Sequence, residues 1–104
     1  MGFELEPKTA YFEWPMSPQP TAPNFTPKQG QYLAFIYAYT QVLGRPPAEA
    51  DLQRHFSVSP PSVHQMVLTL ERTGLIHRKP GVARSIKLLF APEFLPVLRS
   101  PGLD

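Results

Sequence analysis

The stretch from Ser57 to Ile76, SVSPPSVHQMVLTLERTGLI, admits few conformations. Ser59 is placed to cap a helix, because its hydroxyl can accept from an orphan backbone N–H of the first turn. Pro60 suits the first helical position, where its missing N–H costs nothing. Val63, Met66, Val67 and Leu70 recur at spacings of three and four, which puts them on one apolar face. Gly74 can end the helix in a left-handed conformation, and Leu75 and Ile76 then open an extended segment. The outward face keeps Pro61, Ser62, His64, Gln65, Thr69 and Arg72, short or medium polar groups with a single cation.

The flanking sequence supplies the rest of a small fold. Thr26 caps a first helix predicted over Pro27 to about Leu43, with Gln29 completing a capping box. Gly44 ends it. Leu33, Ile36, Thr40 and Leu43 form its stripe, broadened by Tyr32, Phe35 and Tyr39. Gly44-Arg45-Pro46-Pro47 is a turn. A second helix follows over about Ala48 to Phe56, with Leu52 and Phe56 facing inward and Glu49 and Asp51 in the first turn, where negative charge suits the helix dipole. Ala48 is a weak cap. A helix, the short turn Ser57-Val58 and a capped helix make a helix-turn-helix. Leu75 to Arg78 reads as a strand, Lys79 to Arg84 as a turn centred on Pro80-Gly81, and Ser85 to Leu89 as the return strand. Ile76, Ile86 and Leu88 are predicted to face the helices. The expectation is a mainly α (α+β) fold: a three-helix winged helix-turn-helix with a C-terminal two-stranded β-wing. Residues 25–90 form this domain. Residues 1–24 form an extended proline-rich arm, and residues 91–104 an apolar, proline-rich tail that can pack a short helical turn beside helix one.

Charge is unevenly spread. Residues 24–90 carry Lys28, Arg45, Arg54, Arg72, Arg78, Lys79, Arg84 and Lys87 against Glu49, Asp51 and Glu71, a net +5, while residues 1–23 are at −2 and 91–104 at −1. Positive charge gathered on the folded part is what a polyanion-binding surface requires. The chain has no cysteine, which excludes disulfides and cysteine-based zinc sites and makes a reducing compartment the default. No apolar run is long enough to span a bilayer, and the start has neither the basic region nor the apolar core of a secretory signal. Gly2 invites a myristoyl reading, but Glu6 stands where that motif wants Ser or Thr. His55, His64 and His77 fall on three elements with no carboxylate at ligand spacing, so no metal is expected and each reads as a lone surface histidine. No phosphate loop and no nucleophile with an oriented base is evident, so neither a cofactor nor a small-molecule ligand nor an enzyme is expected.

Two stretches resist the simple reading. Tyr11-Phe12-Glu13-Trp14-Pro15-Met16 is unusually aromatic for an arm, which leaves a floppy connector and a docking segment as alternatives. On helix one, Gly30, Ala34 and Ala38 make a strip of small residues beside Tyr37, and Lys28 is the only charged residue from Pro27 to Leu43. Tyr11, Phe12, Trp14, Gly30, Ala34, Tyr37 and Ala38 are therefore candidates for a dimer or partner surface.

Residues 25–89 resemble the N-terminal DNA-binding domain of the LexA repressor family. The resemblance rests on Phe25-Thr26-Pro27-Lys28-Gln29, Phe35-Ile36, Gly44-Arg45-Pro46-Pro47, Ser62-Val63-His64, the run from Leu70 to Ile76 and the run from Pro80 to Ile86. It implies that Ser59, Pro61, Ser62, His64 and Gln65 read base edges. The chemistry agrees for Ser62 and Gln65, since Gln can pair in a bidentate way with adenine. Thr69 and Arg72 would reach phosphate, and Arg78, Lys79 and Arg84 the backbone or minor groove from the wing. Lys28, Arg45 and Arg54 are weaker phosphate candidates. The chain departs from the family in a turn before helix three that is one residue shorter, in Ala48 at the cap position, and in apolar Ala34, Tyr37, Ala38 and Val42. No peptidase domain is expected, so a DNA-damage switch is not carried over.

The expected function is sequence-specific recognition of double-stranded DNA by a transcription regulator of the repressor type. It would act as a homodimer in the bacterial cytoplasm, associated with the nucleoid. The alternative is a winged-helix interaction module that works through the aromatic arm and helix one. A third reading is non-specific nucleic-acid binding.

Overall fold

Local caps set the helix boundaries. In the computed structural model, which describes residues 23–100, α1 spans Pro27–Leu43. Thr26 Oγ1 accepts from the Gln29 N–H at 3.1 Å and Gln29 Oε1 accepts from the Thr26 N–H at 2.9 Å. These reciprocal bonds satisfy two groups that the first turn leaves without partners. Gly44, at φ 77°, closes the other end and donates to Thr40 O. α2 spans Glu49–Phe56 and α3 spans Pro60–Arg72. Between them Ser57 takes φ 54°, a left-handed conformation that a side chain resists and that makes the short turn possible. At the end of α3 Gly74 adopts φ 80°. The Leu75 N–H reaches back to Leu70 O at 3.0 Å, the long bond of a Schellman-type stop.

The wing is shorter than the sequence predicts. Only β1 (Ile76–His77) and β2 (Lys87–Leu88) pair, antiparallel, with Ile76 opposite Leu88 and His77 opposite Lys87. The residues between them make other bonds. Val82 N–H donates to Lys79 O at 3.1 Å, with Gly81 at φ 76°, a tight turn over Pro80-Gly81. The Ser85 hydroxyl accepts from the Lys79 N–H at 2.9 Å and donates to Val82 O at 2.8 Å. Arg84 stands at φ 58°, outside strand geometry. These features end β1 one residue short of the expected Arg78 and start β2 two residues after the expected Ser85. The fold is three helices and a two-stranded antiparallel sheet, mainly α.

The core is formed by Tyr32, Leu33, Ile36, Leu52, Val63, Val67, Leu70, Leu75, Ile76 and Ile86, with Phe25, Phe35, Phe56, Met66 and Leu88 packed against it. Tyr32 stacks on Phe56 at a centroid distance of 4.1 Å. Leu43, expected on the inward stripe, is 55% exposed: it sits in the last turn of α1, beyond the reach of the wing.

His55 departs from its reading as a surface histidine. Its ring stacks on Phe35 at 4.3 Å and meets Phe56 edge-on at 4.6 Å, and its Nε2 is buried with no hydrogen-bond partner. Burial lowers its affinity for a proton below that of an ordinary imidazole at 6.5. The unfolded chain then binds the proton more readily than the folded one. Stability from this group is complete above about pH 6.5 and is lost as pH falls from there toward the folded value. His55→Phe, which keeps the aromatic packing, should remove this part of the pH dependence in denaturant titrations between pH 7 and 5.

The C-terminal segment packs on its own domain. A 3-10 turn forms at Pro92–Phe94, Phe90 lies against Phe25, and Leu95 packs on the core. Gln31 on α1 holds the segment beyond: its Nε2 donates to Val97 O at 2.9 Å and its Oε1 accepts from the Arg99 N–H at 2.8 Å. The tail is tied to α1 as far as Arg99. No described helix is long and apolar enough to cross a membrane.

Candidate nucleic-acid interface

α3 is anchored on one side and open on the other. Val63, Val67 and Leu70 are fully buried, which fixes the rotation of the helix. The same rotation exposes Pro61, Ser62, His64, Gln65 and Arg72, with Ser59 exposed at the cap and Thr69 half-buried. Ser59 Oγ accepts from the Ser62 N–H at 3.3 Å and donates to Ser62 Oγ at 3.0 Å. Ser62 is thereby oriented and keeps its own O–H for an outside acceptor. His64 Nδ1 lies 3.3 Å from both carboxylate oxygens of Glu49 on α2, which restrains the ring and leaves Nε2 as the nitrogen for an outside partner. The Gln65 amide is on the exposed face with both donor and acceptor ends.

The cations divide into two groups. Lys28, Arg45, Lys79 and Arg72 are exposed, Arg72 with a long contact of 3.4 Å to Thr69 Oγ1. Arg54 is 72% exposed although one guanidinium nitrogen pairs with Asp51. Arg78 and Arg84 are not presented as a hairpin tip would present them. Arg78 Nε sits 3.2 Å from Glu71 at the end of α3, with the side chain 19% exposed. Arg84 is turned back against the helices: its Nη1 donates to Asp51 Oδ2 at 3.0 Å and Tyr39 Oη at 3.0 Å, with Pro46 O at 3.4 Å. The left-handed backbone at Arg84 is what turns it inward. Lys87, not among the candidates taken from sequence, is exposed on β2 opposite His77. Its alternation with buried Ile86 was the available signal.

Asp51 is the hub of this inward group and is only 6% exposed. Burial alone would raise its carboxyl. The Ala48 N–H, at 2.8 Å, together with the Arg84 guanidinium, the Tyr39 hydroxyl and Arg54, outweighs burial and holds the group below the ordinary carboxylate range. The same contacts raise Arg84, through Tyr39 first and Asp51 after it. Asp51 thereby satisfies the Ala48 N–H at the start of α2, one half of a capping box, and ties that end of the helix to the wing across 33 positions of sequence.

Part of the strip offered as a partner surface is covered within the chain. Gly30 and Ala34 are buried. A Cβ on Gly30 would stand 2.9 Å from Phe25 Cε1 and 3.0 Å from Pro96 Cγ, so the small residues admit the chain's own tail. Tyr37 and Ala38 remain half-buried. Tyr11, Phe12 and Trp14 lie outside the described residues. Among the described residues no group of His, Asp and Glu is arranged to hold a metal ion.

The arrangement is a capped helix-turn-helix whose second helix is exposed on its polar side, followed by a wing braced from within. The family described as the LexA DNA binding domain matches residues 22–85. The LexA repressor of Thermosipho africanus (strain TCF52B) is 39% identical over 74 residues, 71% of this chain and 37% of that protein. The LexA repressor of Thermosipho melanesiensis is 41% identical over 70 residues, 67% of this chain and 35% of its own length. That of Geobacter metallireducens is 37% identical over 67 residues. The chain thus spans about a third of the length of these curated relatives, and the matched part is the DNA-binding part. On the family match and the fold together, this chain belongs to the LexA DNA-binding domain family.

Proposed function

We propose that the chain is a sequence-specific double-stranded DNA-binding transcription repressor, a reading supported by relatives named LexA repressor. α3 enters the major groove, and the wing tip lies over the backbone or minor groove. The observation that carries this reading is the fixed rotation of α3, with three fully buried anchors behind an exposed row of Ser62, His64 and Gln65. Small polar groups on a rigid helix are suited to base edges. Phosphate attraction comes from Arg54, Arg72, Lys79 and Arg45, with Lys28 a more distant candidate. Arg78 and Arg84 act by holding the wing. One short helix offers little contact area, so two copies on a palindromic site are expected, acting at the nucleoid of a bacterial cytoplasm. The interaction-module reading loses part of its surface, because Gly30 and Ala34 are covered by the chain itself.

Selection of duplexes from a random pool at near-physiological salt tests the reading. A palindromic consensus is the expected outcome, and recovery of unrelated sequences at equal affinity would sink it. Glu49 supplies a second check. It places a carboxylate beside His64, where it repels phosphate. Glu49→Gln should tighten binding to every duplex by about a few-fold, with the gain shrinking as salt rises, as read by fluorescence anisotropy.

A further inference from the structure

Between α1 and β2 runs an open groove of about 320 Å³, lined by Tyr37, Thr40, Pro46, Ile86 and Leu88 with Lys87 at its edge. Its floor is apolar, since Ile36 and Ile86 are 2% and 5% exposed. Lys87 is the one charge among the lining residues. The described part of the chain's own tail does not fill it: Pro96 and Val97 are held on α1 at Gly30 and Gln31, two turns away from Tyr37 and Thr40.

We infer that the aromatic segment Tyr11-Phe12-Glu13-Trp14-Pro15-Met16 of the same chain occupies this groove, with the Trp14 ring over Tyr37 and Ile86 and Glu13 paired with Lys87. Three observations select this occupant. The first is reach. The groove lies 10 to 13 residues along α1 from Pro27, about 15–20 Å at the helical rise. Nine residue steps separate Trp14 from Pro23, and with Pro15, Pro18, Pro20 and Pro23 favouring an extended chain they span about 28 Å. The second is charge. Residues 1–23 are net −2 and the domain is net +5, and the groove's cation faces a segment whose only charge is Glu13. The third is chemistry. An indole followed by a proline suits an apolar cleft with a polar rim, and α1 has no charged residue after Lys28 that would oppose it.

Trp14 is the single tryptophan, so its fluorescence reports on the segment directly. In the full chain its emission should be shifted to the blue and protected from iodide and acrylamide, relative to a peptide of residues 1–22. The shift should be independent of protein concentration. Tyr37→Glu, Lys87→Glu and Glu13→Lys should each move emission toward that of the peptide, with far-UV circular dichroism unchanged. Glu13 lies outside residues 25–90, so Glu13→Lys leaves the domain's own sequence intact and stays informative if a groove variant misfolds. Combining Glu13→Lys with Lys87→Glu should restore the shift. Peptide-like emission in the full chain would overturn the inference, and so would a blue shift indifferent to all three substitutions. A shift that vanishes on dilution, as sedimentation passes from dimer to monomer, would assign the groove to a second copy and overturn it equally. None of these readouts involves DNA, so they stand apart from the test of DNA recognition.

Discussion

Asp51→Ala should lower the stability of the domain by about 2–3 kcal/mol. Breaking a buried charge pair costs about 3–5 kcal/mol, reduced here because Arg84 is about a third exposed and can recover water once its partner is gone. The corresponding fall in Tm is roughly 10–20 °C for a domain of this size, measurable by circular dichroism. The substitution removes two things at once. The Ala48 N–H loses its acceptor at the start of α2, and the Arg84 guanidinium keeps only Tyr39 and Pro46. Asp51→Asn retains an acceptor for Ala48 and should lie between wild type and alanine. Arg84→Ala combined with Asp51→Ala should cost less than the two single changes added, because they break the same contact. The wing is also released, so Asp51→Ala should weaken DNA binding even though the residue is buried.

The same carboxylate gives the protein an acid limit. Its folded pKa lies below the ordinary value of 3.8. Its contribution is therefore complete above about pH 4 and disappears as pH falls through the folded value. Asp51→Ala should flatten the stability profile in that window, leaving the separate slope from His55 between about pH 6.5 and its lower folded value.

Gln65→Ala should relax base preference at one position of the half-site. A bidentate side-chain pair contributes about 1–3 kcal/mol of discrimination, a factor of roughly 5 to 150. Affinity for sequences already mismatched there should change little. Arg72→Ala and Lys79→Ala should behave in the opposite way, weakening all duplexes about uniformly and lowering the slope of log affinity against log salt by about 1 each. Arg84→Ala should also weaken all sequences, but with a fall in Tm, because it acts through the wing's anchorage. Measuring Tm and salt slope together separates a phosphate contact from a brace.

How much of this was legible depended on the range of the interactions. The Thr26–Gln29 box, the Ser59 cap, the stops at Gly44 and Gly74 and the Pro80-Gly81 turn are set by residues three to six apart, and short-range chemistry announced them. The inward face of α3 followed from spacing alone. The inward partners of Arg84 were not legible, because Tyr39 and Asp51 are 45 and 33 positions away. In sequence it is one more arginine beside a hairpin turn. The clue was a carboxylate at the third position of α2: turned back to accept from the Ala48 N–H it is buried, and a buried carboxylate needs a cation. Gly30 and Ala34 announced a close approach without naming what approaches; at Gly30 it is Phe25 and the tail's Pro96. His55 was misread because a solvated and a stacked histidine look alike until Phe35 and Phe56 are placed beside it.

The central claim is that the exposed face of α3 distinguishes one DNA sequence from another. It is tested most directly by the affinity of the full chain, at near-physiological salt, for the selected duplex and for a shuffled duplex of the same composition. A specific regulator binds the first more tightly by about a thousand-fold or more. Equal affinity for the two, falling in parallel with salt, would contradict the account.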